Sequence, residues 1–143
     1  MTPEQVLDEL HLLRDRVPWV TGALVATCDG FLIACDLPPD LEPDGMAALT
    51  ATELSLSHRV ARAVHEGDDF HEVVIRSRAG HVAIYAAGNA ALAVLADPEV
   101  NLGRLHLEAR PTARTIADRL PALAARSHRE EPPCPTSTRR SRK

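Results

Sequence analysis

The side chains able to do chemistry in this chain exclude more reactions than they offer. There are seven histidines, and His58 and His65 lie seven apart on one stretch of helical pattern. No third ligand stands at a recognisable spacing, and neither HExxH nor CxxC occurs, so ordinary surface or boundary histidines are the better reading. Ser55, Ser57 and Ser77 fall inside regular elements, and no GxSxG elbow exists to present a nucleophile. Lys143 is the only lysine and ends the chain. A P-loop needs its lysine at a helix start after a Gly-rich turn, so the chain is not a P-loop NTPase, and Schiff-base chemistry is disfavoured too. The expectation is a non-enzyme with no catalytic residues, no metal and no cofactor.

Three charged features remain. Glu66, Asp68 and Asp69 form an acidic cluster, read as a solvated loop rather than a cation site. Glu53 falls between two apolar arcs of a helix, so its carboxylate either snorkels at the helix edge or is paired across an interface. Ser55, Arg59 and Arg62 share a polar arc with Glu66 and are the candidates for contact with a partner. Their bland role is a solvated helix face.

The element that must carry these groups is the stretch Asp44–Glu66, the longest helical pattern in the sequence. At about 100° per residue, Met46, Leu49, Leu56, Val60 and Val64 fall in one arc, broad enough to cover a sheet. Ala47, Ala51, Leu54 and Ala61 form a second arc of mostly small side chains. One apolar stripe suffices for a helix on the outside of a monomer. The second therefore points to close packing against another helix, which makes Ala47, Ala51, Leu54 and Ala61 candidate dimer-interface residues.

Around it the chain reads in order. Thr2–Val17 is a helix with Thr2 as N-cap and Pro3 at its first position, ended by Pro18. Val20–Cys28 and Phe31–Asp36 are strands joined by Asp29-Gly30. Leu24, Ala26, Cys28, Phe31, Ile33 and Cys35 are expected on one face of that hairpin. Apolar groups on its other face place it inside a three-layer arrangement. In such a hairpin Cys28 and Cys35 stand about four residues apart, roughly 13 Å, too far for a disulfide. Phe70–Ser77 sends Val73 and Ile75 one way and Glu72, Val74 and Arg76 the other, a half-exposed edge strand. Val74 joins the candidate interface on that ground. His81–Ala87 and Ala90–Ala96, joined by Gly88-Asn89, read as central strands. Asn101–Arg126 is a last helical region that Pro111 and Pro121 should kink or divide. The order α-β-β-α-β-β-β-α with hairpin connections gives a three-layer α/β/α sandwich around a five-stranded antiparallel sheet.

Composition agrees. Hydrophobic content is 45% against 3% aromatic, so the core must be Ala, Leu and Val. From Ser127 onward five cations face two carboxylates, a net of +3 that leaves about −7 on the rest of a chain whose total is −4. An acidic body argues against nucleic acid as main partner. Residues 1–126 are read as one domain and 127–143 as a disordered Pro/Ser/Arg tail. Without a membrane-length apolar run or a signal-peptide core, a cytoplasmic location is expected. Arg in place of Lys and abundant Ala point to a high-G+C bacterial gene.

These residues resemble the roadblock/dynein light-chain domain family, in particular its small bacterial, MglB-like members. The carriers are the opening helix Glu4–Val17, the hairpin around Cys28-Asp29-Gly30-Phe31-Leu32, the Ala/Leu-rich helix from Met46, the paired runs His81–Ala87 and Ala90–Ala96, and Asn101-Leu102-Gly103-Arg104-Leu105. The resemblance implies a profilin/longin-like scaffold and a homodimer in which central helices pack together and third strands pair. It implies a non-catalytic regulator or adaptor of a Ras-like small GTPase, in a signalling module with a sensor kinase. The chain departs from the family at Glu53, where a small or apolar residue is usual, and at Pro111 and Pro121. Self-assembly or small-ligand sensing on the same scaffold, and an enzyme of unknown chemistry, are the alternatives.

Overall fold

The computed structural model describes residues 1–67 and 70–120. Asp68, Asp69, Pro121 and the 127–143 tail, on which expectations were placed above, lie outside the described residues. Three helices and five strands follow the expected order: α1 (Pro3–Arg16), β1 (Val20–Thr27), β2 (Leu32–Asp36), α2 (Pro43–Val64), β3 (Glu72–Ser77), β4 (Gly80–Ala87), β5 (Ala90–Ala96) and α3 (Leu102–Arg119). The strands form one sheet in the order β2-β1-β5-β4-β3, every neighbouring pair antiparallel. β1, β5 and β4 are interior; β2 and β3 are the edges.

Local chemistry sets the helix starts. Thr2 accepts from the Gln5 amide while the Gln5 side chain accepts from the Thr2 amide, a capping box ahead of Pro3. Glu42 caps α2 by accepting from the Asp44 and Gly45 amides, and Asn101 caps α3 through Arg104. Pro111 does not divide α3, which runs unbroken through it. Its ring and the Leu107 turn it deprives of a hydrogen bond both face solvent, so water can satisfy the freed carbonyl.

α1 and α3 share one face of the sheet. Val6, Leu10 and Leu13 from α1, Val17 at its C-cap, and Leu105, Ala109, Ala113 and Ile116 from α3 close over Val25, Tyr85, Leu92 and Val94. This is the larger core. The β1–β2 hairpin departs from a simple two-residue turn. Leu24 faces Cys35 as expected, but a bulge then sets Ala26 against Leu32. That extra residue turns Ile33 toward the α1/α3 core and brings Leu32, expected on that side, to the opposite face, where Cys35 stays with Leu24 and Ala26.

α2 alone covers that opposite face, and it does so with the arc not expected to. Ala47, Ala51 and Leu54 are buried at 0, 7 and 8% exposure, and Ala47 and Leu54 pack on Leu24, Ala26, Ile84, Ala91 and Ala93. Met46 also packs there, whereas Leu49, Leu56, Val60 and Val64 face outward. The reason is the sheet beneath, whose α2 side is rich in alanine. Small residues on both sides let the helix sit close, and a Cβ at Gly30, held at φ 93°, would stand 3.4 Å from the Cα of Ala48. The large arc is too bulky for that approach. Ala47, Ala51 and Leu54 therefore belong to the core of their own chain and are withdrawn as dimer-interface residues; Ala61 is only partly covered.

Leu54→Ala is expected to cost about 2–5 kcal/mol, read in denaturant melts at every protein concentration. Leu56→Ala, on the outward arc, should change the stability of the single chain by no more than about 0.5 kcal/mol. A larger loss from Leu56→Ala than from Leu54→Ala in dilute protein would reverse the assignment of the two arcs.

Candidate functional site

The packing of α2 leaves an apolar stripe without cover. Leu49, Leu56, Val60 and Val64 are 65, 53, 57 and 68% exposed. Spaced by seven, four and four, they make a seam of the kind that meets another helix. Glu53 fills the vacant step between Leu49 and Leu56. It is half-buried and accepts a hydrogen bond from Ser57 Oγ at 2.9 Å, so the carboxylate is held against its own helix within an apolar row.

Beside this stripe runs β3, a sheet edge. Its register with β4 puts Val73 opposite Ile84 and Ile75 opposite Val82, the α2 side of the sheet. Ile75 is 42% exposed. Glu72, Val74 and Arg76 point to the α3 side, as the alternation predicts. Val74 is partly covered and touches the α1/α3 core. The stripe and the edge thus present unpartnered apolar side chains and unpaired backbone groups, both of which ask for cover.

Two polar contacts brace this edge, and sequence reasoning missed both. Arg110 of α3 holds Glu72 through Nε to Oε1 at 3.2 Å and Nη2 to Oε2. The hydrogen bond from Arg110 outweighs burial and holds the Glu72 carboxyl below its ordinary range. Tyr85 is 1% exposed and its hydroxyl meets His106 Nδ1 at 2.8 Å; burial pushes the phenol far above its usual value. His71, Glu72, Tyr85, Arg110 and Arg114 line an open hollow of about 310 Å³. The legible signal was the one tyrosine, set in an apolar strand where its hydroxyl needs a partner. His106 and Arg110, four apart on α3, supply both contacts.

The structure separates the three partner-contact candidates. Ser55 and Arg59 line one open cleft of about 490 Å³, together with Cys28, Asp29, Thr52 and Leu56. Leu56 joins that cleft to the apolar stripe. Arg62 faces another hollow of about 370 Å³ with Ala61, His58, His65 and Phe70, where the His58 and Phe70 rings stack at 5.6 Å. His58 and His65 do share a hollow, yet among the described residues no three His, Cys, Asp or Glu side chains are grouped to hold a metal ion. Cys35 is a free thiol; burial, with Asp36 and Asp44 nearby, pushes it up.

The Roadblock/LC7 domain model matches residues 6–96, from α1 to the end of β5. A Roadblock/LC7 domain from Streptomyces avermitilis is 30% identical, superposes with a TM-score of 0.72, and the match covers 78% of this chain and 94% of that one. Myxococcus xanthus MglB is 15% identical at a TM-score of 0.75, over 85% and 91% of the two chains, a likeness of fold. Uncharacterized protein MJ0310 of Methanocaldococcus jannaschii is 25% identical over 118 residues, 82% of this chain and 99% of its own length.

The brace yields a pH prediction. A carboxyl whose folded value is lowered contributes stability that is full above the ordinary carboxylate range and is lost as pH falls through the folded value. Wild type should therefore exceed Glu72→Gln in stability by most at neutral pH. Melts of the two across an acid series should converge, and a gap that widened on acidification would contradict the ion pair's role.

Proposed function

The chain belongs to the Roadblock/LC7 domain family, and on that premise we propose that it is a non-catalytic adaptor or regulator of a Ras-like small GTPase that works as a homodimer. One observation carries the dimer: a four-residue apolar stripe on α2 lies exposed beside an unpaired edge strand. A single chain leaves both uncovered. A second copy related by a two-fold would cover both at once, helix on helix and edge on edge. The interface so proposed uses Leu49, Leu56, Val60 and Val64 with β3, including Val74, and takes in Ala61 at its margin.

The GTPase reading extends from that platform. The Ser55–Arg59 cleft opens beside Leu56, so a two-fold would set two such clefts on one composite surface. Arg59 offers a guanidinium to carboxylates of the GTPase, and Ser55 a hydroxyl. Arg62, in the adjoining hollow, is the secondary contact. The protein itself would neither bind nor hydrolyse GTP, since the sequence carries no Gly-rich loop with its lysine. Membership of a signalling module with a sensor kinase belongs to the same reading. Among the described residues no helix is long and apolar enough to cross a membrane.

The test is a pull-down with a Ras-like GTPase encoded beside this gene, loaded with GDP or with a non-hydrolysable GTP analogue. Retention in at least one nucleotide state is expected, with Arg59→Glu weakening it more than Arg62→Glu. Absence of binding in both states would refute the regulator reading; binding indifferent to both reversals would move the contact off α2.

A further inference from the structure

The outer edge of β3 is written so that it complements itself. The Ala86 amide donates to the His71 carbonyl at 2.9 Å, and Ser77 pairs with Gly80 across a two-residue turn. Hydrogen-bonded pairs alternate along an antiparallel ladder, so residues 71, 73, 75 and 77 spend their backbone groups on β4. The N–H and C=O groups of Glu72, Val74 and Arg76 are left pointing outward.

We propose that β3 pairs antiparallel with β3 of a second copy in one register, centred on Val74, which sets Glu72 of each copy opposite Arg76 of the other. This rests on the homodimer reading above and goes beyond it by fixing the register and the charged contact. Only residues with outward groups can face one another as hydrogen-bonded pairs, which leaves five symmetric registers. Centring on Glu72 stacks two carboxylates, and centring on Arg76 stacks two guanidinium groups. A centre at Val73 sets Glu72 against Val74, and a centre at Ile75 sets Val74 against Arg76. The Val74 register alone matches all three outward positions, with an opposite-charge pair on each side of the two-fold.

Both faces of the joined sheet fit this register. On the α2 side Val73 meets Ile75 of the second copy, extending the apolar surface that the α2 stripe borders. On the α3 side Arg110 already holds Glu72 on its own chain, so the incoming Arg76 meets a carboxylate fixed in place. Arg76 itself is exposed and free to turn toward it.

The experiment combines light scattering with crosslinking through one introduced cysteine under mild oxidation, with wild type alongside as the control for the three native cysteines. In the proposed register the two Val74 residues are a hydrogen-bonded pair with Cα atoms about 5.5 Å apart, within disulfide reach. The two Val73 residues are diagonal, roughly 7–8 Å apart, and beyond it. Val74→Cys is expected to give a crosslinked dimer and Val73→Cys none. Arg76→Glu alone should weaken self-association by about tenfold, and mixing it with Glu72→Arg should restore it through Arg–Glu contacts on both sides. A dimer that crosslinks through Val73→Cys, or that ignores the charge reversals, overturns the register while the homodimer stands. A wild type that stays monomeric at high micromolar concentration overturns both.

Discussion

The fold turns on an imbalance of cover. Five strands have two faces to bury, and the three helices divide them unequally. α1 and α3 close one face with Val, Leu and Ile side chains, producing the larger core. α2 alone meets the other, on a bed of Ala26, Ala91 and Ala93. Alanine against alanine permits a close approach and little else, so the helix docks by its small-residue arc. The displaced large residues must then go somewhere, and they face out.

That single constraint connects the remaining features. An outward row of Leu49, Leu56, Val60 and Val64 has no purpose in the stability of one chain, since each stays more than half exposed. It lies beside the one edge strand whose outward residues alternate charge and apolar group. On the proposed reading these are two halves of one interface, and the polar cleft at Ser55 and Arg59 flanks it without being consumed by it. Glu53 is the check on the apolar row. Tied to Ser57 on its own helix, it keeps a carboxylate within the seam, and a partner helix must accommodate it.

Much of this was legible from the residues. Alternation in Glu72–Arg76 placed each side chain on its observed face, because β3 pairs with β4 without the bulge that broke the alternation in β2. Caps at Thr2 and Asn101 fixed helix starts through local chemistry that tertiary packing did not override. The α2 assignment failed for a physical reason. A helical wheel gives the angle between two apolar arcs but not which arc meets the sheet, and size alone favoured the wrong one. The answer lay in the alanines of β1 and β5, whose facing is known only once the sheet order is. Pro111 does not divide α3, since whether it could depends on whether the freed carbonyl sees water. The Glu72–Arg110 brace joins residues 38 apart, a pairing that no local pattern announces.

The central claim is that the large-residue arc of α2, and not the small one, is the face offered to a second molecule. Sedimentation velocity of wild type against Leu56→Ser/Val60→Ser, over a concentration series, addresses it most directly. The account predicts a wild-type dimer and a double variant that is folded yet monomeric. A variant that sediments as wild type does, dimer included, would contradict it.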